Sequence, residues 1–204
     1  MKNNHSFTLI ELLVSLGIIS VVVLIVTGTY VFIIGSREKT LGQTDLHQEG
    51  QYIMSLMAKD IRSSKIDYSA IGTIPKDSPI TYLILQNIEE TECSRYRRIT
   101  SDNRGIIQKC VKTKTEPTKN CADTANVCQD TDFQDLTSKD INVENLNFYI
   151  QPNEDPFNKS SSSEAKKQQP RCTITFNLKS LKEKVGENKI LFQQTIFERW
   201  TKRD

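Results

Sequence analysis

The stretch NNHSFTLIELLVSLGIISVVVLIV, residues 3–26, decides the architecture of this chain. It opens polar. From Leu12 to Ile34 it then carries no charged residue and consists mostly of Leu, Ile, Val and Phe. A helix needs roughly 20 apolar residues to cross a bilayer, and this run supplies them. One acid, Glu11, stands at its entrance. An unpaired carboxylate costs about 2.5–3.5 kcal/mol at a membrane helix centre on insertion scales, so Glu11 calls for a partner. The bland alternative is an acid tolerated near the interface by snorkelling.

Working outward, Lys2 and His5 precede the run and no acid does. The positive-inside rule then places this end in the cytoplasm and the rest of the chain outside it. The apolar run exceeds the about 7–15 residues of a secretory signal core, and no small-x-small cleavage site follows it. A retained single-pass anchor in the inner (cytoplasmic) membrane is expected. The chain has 204 residues with 27 basic and 25 acidic side chains. That length suits one soluble domain of moderate size, and the near-balance of charge names no partner.

Helical spacing continues past the membrane. Leu46, Ile53, Leu56, Met57 and Ile61 recur at steps of three, four or seven, while Gln48, Glu49, Gln51 and Lys59 fill the other side. This is an amphipathic stripe. The helix is predicted to run over residues 8–64, about 85 Å at about 1.5 Å per residue, with Gly72 and Pro75 beyond its end. Gly17, Gly28, Gly35 and Gly42 fall near whole numbers of turns and form one small-residue face. Such a face lets membrane helices approach closely, although glycine is in any case common in membrane helices.

Strand-like runs follow at 80–86, 92–100, 106–112, 141–150, 171–178 and 190–200. SDNRG (101–105) joins the second and third through a turn about Asn103–Arg104. Cys172, Ile174, Phe176 and Leu178 alternate cleanly and should face a core; Ile190, Phe192, Ile196 and Trp200 share a parity. The expected fold class is α+β. A long N-terminal helix, transmembrane then amphipathic, packs on an antiparallel meander of four to six strands.

The motif HSFTLIELLVS, a short basic leader followed by FTLIE and an apolar helix, strongly resembles the class III signal of type IV pilins and type II secretion pseudopilins. The resemblance implies a pilin-like fold, no cofactor, and a structural rather than enzymatic role. It implies cleavage between Ser6 and Phe7 by a prepilin peptidase, methylation of the new Phe7 amine, and a docking role for Glu11 facing the amine of a neighbouring subunit. The family usually has Gly before the cut, where this chain has Ser6. The implied organisation is a leader at 1–6, a transmembrane segment at 7–35, an amphipathic half-helix at 36–66 and a β-rich head at 67–204. A less specific likeness rests on LTSKDINVENLNFYIQP (136–152), PRCTITFNL (170–178) and LFQQTIFERW (191–200). It is to larger minor pilins and J-type minor pseudopilins, whose partners would be other pilin or pseudopilin subunits. A tip position in a pilus or pseudopilus follows from that branch.

Other chemistry is sparse. Five cysteines, Cys93, Cys110, Cys121, Cys128 and Cys172, fit an oxidising compartment. Sequence does not fix their connectivity. Cys121–Cys128 is the first expectation, Cys93–Cys110 the second, with Cys172 free. No histidine follows His47, so no nucleophilic triad is credible, and no CxxC pair suggests zinc. Asp130, Asp132 and Asp135 offer oxygen ligands for calcium, but their spacing is not that of an EF-hand; a solvated acidic loop is the preferred reading. Residues 151–170 read as a flexible surface loop. A basic cluster containing Arg95, Arg97, Arg98, Arg104 and Lys109, with Tyr96 nearby, could track a nucleic-acid backbone. A DNA receptor on a competence pilus is therefore one alternative function, and a membrane-anchored domain that never polymerises is another. The bland reading of the cluster is a solvated hairpin face.

Overall fold

A computed structural model of the chain describes residues 8–76, 78–116, 119–181 and 189–199. One helix, α1 (Leu9–Ser63), runs for 55 residues. Its carboxyl-terminal half buries the expected stripe: Leu46, Ile53, Met57 and Ile61 are all sequestered, joined by Met54 and Ala58. Leu56 sits half-buried at the margin, and Gln48, Gln51 and Lys59 face outward.

The chain leaves the helix directly into β1 (Ser64–Ile66) and a single turn, α2 (Tyr68–Ile71). Asp67 caps that turn, its Oδ1 accepting from the Ala70 amide. Gly72, at φ 82, closes it in a conformation that favours glycine. There follow β2 (Tyr82–Asn87), β3 (Glu92–Ser101), β4 (Arg104–Thr113), β5 (Gln134–Asp135), β6 (Ile141–Gln151), β7 (Arg171–Ser180) and β8 (Lys189–Phe197). All strand pairings are antiparallel.

The single meander of four to six strands is corrected. Among the described residues eight strands form two sheets, ordered β1-β2-β3-β4-β5 and β6-β7-β8. The break has a physical cause at residues 136–140. There the backbone turns toward α1, and the Ser138 amide donates to the Glu49 carboxylate at 2.6 Å. Glu49 is thus a tether to the head rather than a purely solvated residue. The sheets are stitched where Ile80 and Phe148 exchange two backbone hydrogen bonds of 2.9 Å. A second stitch is at Gly105, whose amide donates to Asn142 Oδ1 at 2.7 Å. No β-carbon fits at Gly105, because the Val143 carbonyl lies against it.

The core lies between α1 and the inner faces of both sheets. Cys172, Ile174, Phe176 and Leu178 point into it, as their alternation predicts, and so do Phe192 and Ile196. Trp200 lies outside the described residues. SDNRG does turn, one residue earlier than expected, on Asp102 and Asn103 with φ of 51 and 59. Both values fit a two-residue hairpin turn that follows strand twist.

The expected disulfide pairing is also corrected. Cys93 bonds Cys121 and Cys110 bonds Cys128. In the β3–β4 register, Cys93 faces Lys112 and Cys110 faces Arg95. The two cysteines therefore share a face but are offset along it. The connection between β4 and β5 returns across that face, so Cys121 and Cys128 become two anchors on neighbouring strands instead of closing a ring. Cα–Cα separations of 5.7 and 6.3 Å suit both bonds. Asn126 holds the loop from within: its Nδ2 donates to the Glu116 carbonyl, and its Oδ1 accepts from the Thr115 amide. Cys172 is free and fully buried, and burial pushes its thiol well above the usual range.

Residues 151–170 are more ordered than a flexible loop. Pro152, Pro156, Ala165 and Pro170 are buried. The Ser162 amide donates to Glu154 at 2.8 Å, and that hydrogen bond holds the Glu154 carboxyl below its ordinary value.

Candidate functional site: the exposed amino-terminal helix

From Leu9 to Arg37 every residue of α1 is exposed. Its most apolar window has a mean hydropathy of 2.9 and is 0% buried, so this helix is long and apolar enough to cross a membrane. Four hydroxyls within it are satisfied by the helix itself. Ser15 donates to the Leu12 carbonyl, Ser20 to Gly17, Thr27 to Val23 and Thr29 to Ile25, all at 2.8–2.9 Å. A hydroxyl so bonded enters hydrocarbon without an orphaned donor.

Among the described residues the Glu11 carboxylate has no such bond. Thr8 is the N-cap: its Oγ1 accepts from the Glu11 amide at 3.4 Å, and its carbonyl accepts from the Glu11 and Leu12 amides. Thr8 and Glu11 thus hold the positions of a capping box. The acid lies in the first turn, at the positive end of the helix dipole. That placement contributes about 0.3–1 kcal/mol, less than the about 2.5–3.5 kcal/mol of an unpaired acid at mid-membrane. Among the described residues the Glu11 carboxylate has no ion-pair partner. It lines a shallow groove with Thr8, Val14, Ser15 and Ile18. Ser6 and Phe7, the expected cleavage and methylation residues, lie outside the described residues.

The glycine face divides. A β-carbon added at Gly17, Gly28 or Gly35 would meet nothing within 4 Å, so these three leave an open small-residue line on the apolar half. Gly42 is buried against the head, where it continues the stripe of Leu46. Beyond it lies a cleft of about 720 Å³ between α1 and residues 135–141, lined by Asp45, Glu49, Tyr52, Leu136 and Asp140 among others.

Two residues that seat the helix carry no sequence signal. Asp60, on the head-facing half, accepts from the Tyr96 hydroxyl at 2.5 Å and pairs with Lys109 Nζ at 2.6 Å. One acid thereby ties α1 to β3 and β4. Burial first, and the Asp60 hydrogen bond second, push the Tyr96 phenol far above its ordinary value. Gly50 lies under the Phe192 ring, which stacks on Phe176 with centroids 5.2 Å apart. A glycine in a helix reads as a weak point until the ring above it is known.

The arginines do not form one surface. Arg95 and Arg97 share the outer face of the first sheet, and Arg98 points to the other. Arg95 lies over the Tyr82 ring. Arg97 pairs with Asp130 at 2.6 Å, donates to Gln108, and stacks 3.6 Å from the Phe133 centroid. Arg98 donates to the Val143 carbonyl. Arg97 and Arg98 thus commit donors to the fold, while Arg95 Nε is buried without a hydrogen-bond partner among the described residues. Asp132 accepts from the Gln129 amide, and Asp135 accepts from Gln108. With Asp130 held by Arg97, the three acids diverge. The described residues contain no group of three or more His, Cys, Asp or Glu side chains placed to hold a metal.

Comparison with curated proteins and with solved structures found no match. Residues 1–27 match the family model described as the prokaryotic N-terminal methylation motif. With Thr8 capping the turn that holds Glu11 and an exposed apolar helix in that span, the chain carries a type IV pilin-like prepilin signal.

Proposed function

We propose that the chain is a minor subunit of a pilin-like filament, a type IV pilus or a type II secretion pseudopilus, and that its role is assembly rather than catalysis. The signal implies processing by a prepilin peptidase and assembly with other pilins. In this reading the peptidase cuts between Ser6 and Phe7, removing residues 1–6 and methylating Phe7. The helix stays in the inner membrane with its amino end toward the cytoplasm and the head outside. Subunits then leave the bilayer by packing their apolar halves together.

Glu11 supports this reading most. It is the one acid between Leu9 and Arg37, where Ser15, Ser20, Thr27 and Thr29 are bonded within the helix, and the described residues hold no counter-charge for it. The freed amine of a neighbouring Phe7 is a counter-charge of the right sign. In a low-dielectric helix bundle such a pair attracts far more strongly than in water. The open line of Gly17, Gly28 and Gly35 lets another helix approach closely.

The test is Glu11→Ala in cells that also make the other subunits. The variant is expected in the membrane with a folded, oxidised head but missing from the sheared filament fraction. Incorporation at the wild-type level would leave the non-polymerising anchor as the better account.

A further inference from the structure

The outer face of the β6-β7-β8 sheet has a composition that sheet stability does not explain. In its middle row, Asn147 sits opposite Thr175, and Thr175 opposite Gln193. One row along are Tyr149, Thr173 and Thr195; on the other side are Asn145, Asn177 and Leu191. None of these positions is charged, in a chain whose residues are 25% charged. Charges appear only at the margins, at Arg171 on one end and at Lys179 with the Lys189–Glu144 pair on the other. Threonine is an ordinary strand residue, but asparagine is depleted in strands. Places where local preference is overridden are where function is expected.

The polar groups of this face are available. Thr173 and Thr195 bond each other at 2.8 Å, and Asn145 Oδ1 accepts from the Asn177 amide. Those contacts fix the flanking rows. Among the described residues, the side chains of Asn147, Thr175, Gln193 and Tyr149 make no hydrogen bond. Amide side chains both donate and accept, which matches adjacent hydroxyls on one ligand. Apolar surface stands beside them: Leu191 is 62% and Phe197 50% exposed.

We propose that this face binds a neutral polysaccharide laid across the three strands. The three uncharged middle rows complement an uncharged ligand. Amides address sugar hydroxyls, and Tyr149, Leu191 and Phe197 cover the C–H faces of the rings. A nucleic acid would need cations here. A protein partner would favour a core about 65% apolar, whereas these rows are mostly amide and hydroxyl. The inference concerns the head alone and stands whether or not the chain polymerises.

The experiment uses the full chain in a polyoxyethylene detergent, which carries no sugar headgroup. Retention is measured on insoluble cellulose, chitin and cross-linked dextran, with bare polystyrene as control. Retention on at least one polysaccharide is expected, unchanged at high salt. Gln193→Lys and Asn147→Ala should each weaken it about tenfold or more at an unchanged melting temperature. Absence of retention on all three polysaccharides overturns the proposal, as does equal retention by folded variants. Loss in these variants of co-purification with another pilin-like subunit, in place of any sugar effect, makes the face a protein interface and also overturns it.

Discussion

The ring of Phe192 rests directly on the backbone of Gly50, so that a β-carbon at residue 50 would fall inside the ring. This contact sets how closely β8 approaches α1. The ring cannot swing away freely, because Phe176 stacks on one side and His47 lies 5.8 Å away. Gly50→Ala is therefore expected to destabilise the head by about 1–3 kcal/mol through overpacking, less about 1 kcal/mol regained in helix propensity. In Gly50→Ala/Phe192→Leu the penalty of the alanine should largely vanish. Urea unfolding of the four members of this cycle checks it.

Asp60 serves two partners at once, the Tyr96 hydroxyl and the Lys109 ammonium. Asp60→Ala leaves both groups without their acceptor and is expected to cost about 1–3 kcal/mol. Asp60→Asn should cost less, since the amide still accepts from the phenol. Urea midpoints of the two variants against the parent chain decide the order.

Alkaline pH should weaken the head. The Tyr96 phenol and the Cys172 thiol are both raised in the folded state, mainly by burial. A raised group contributes its stability in full below its unfolded pKa and loses it as pH climbs toward the folded value. Ordinary values are about 8.5 for Cys and about 10 for Tyr. The denaturation midpoint should thus be flat around neutrality, decline from about pH 9, and steepen beyond about pH 10. Tyr96→Phe should remove the steeper part.

The two disulfides give a chemical check. Non-reducing peptide maps should recover Cys93–Cys121 and Cys110–Cys128. Replacing either pair by serine is expected to cost about 2–4 kcal/mol. Without reductant, a maleimide should label no thiol in the native chain and only Cys172 after denaturation.

What the sequence shows of this fold depends on whether neighbours in the chain or neighbours in space set each element. The long helix and the six longer strands announce themselves through periodicity, because one face of each is buried along its length. β1 and β5 do not. They are three and two residues long, too short for alternation, and they exist because β2 and β4 offer open edges. Two sheets instead of one, and the disulfide partners, are set by where the chain crosses itself between β4 and β6. Gly50 and Asp60 acquire their roles only from Phe192, Tyr96 and Lys109 across the core. In the candidate site, Glu11 is legible since its charge conflicts with everything around it. Gly42 is not, because the line it shares with Gly35 does not reveal where the head begins.

The central claim is that Phe7 becomes a free, methylated amino terminus and supplies the partner Glu11 lacks. The most direct measurement is intact-mass and amino-terminal peptide mass spectrometry of the membrane-extracted chain, from cells with and without the prepilin peptidase. A chain beginning at methylated Phe7 only when the peptidase is present is the expected result. A chain still beginning at Met1 in both would contradict the account, for the Phe7 nitrogen would stay in a peptide bond and offer Glu11 no charge.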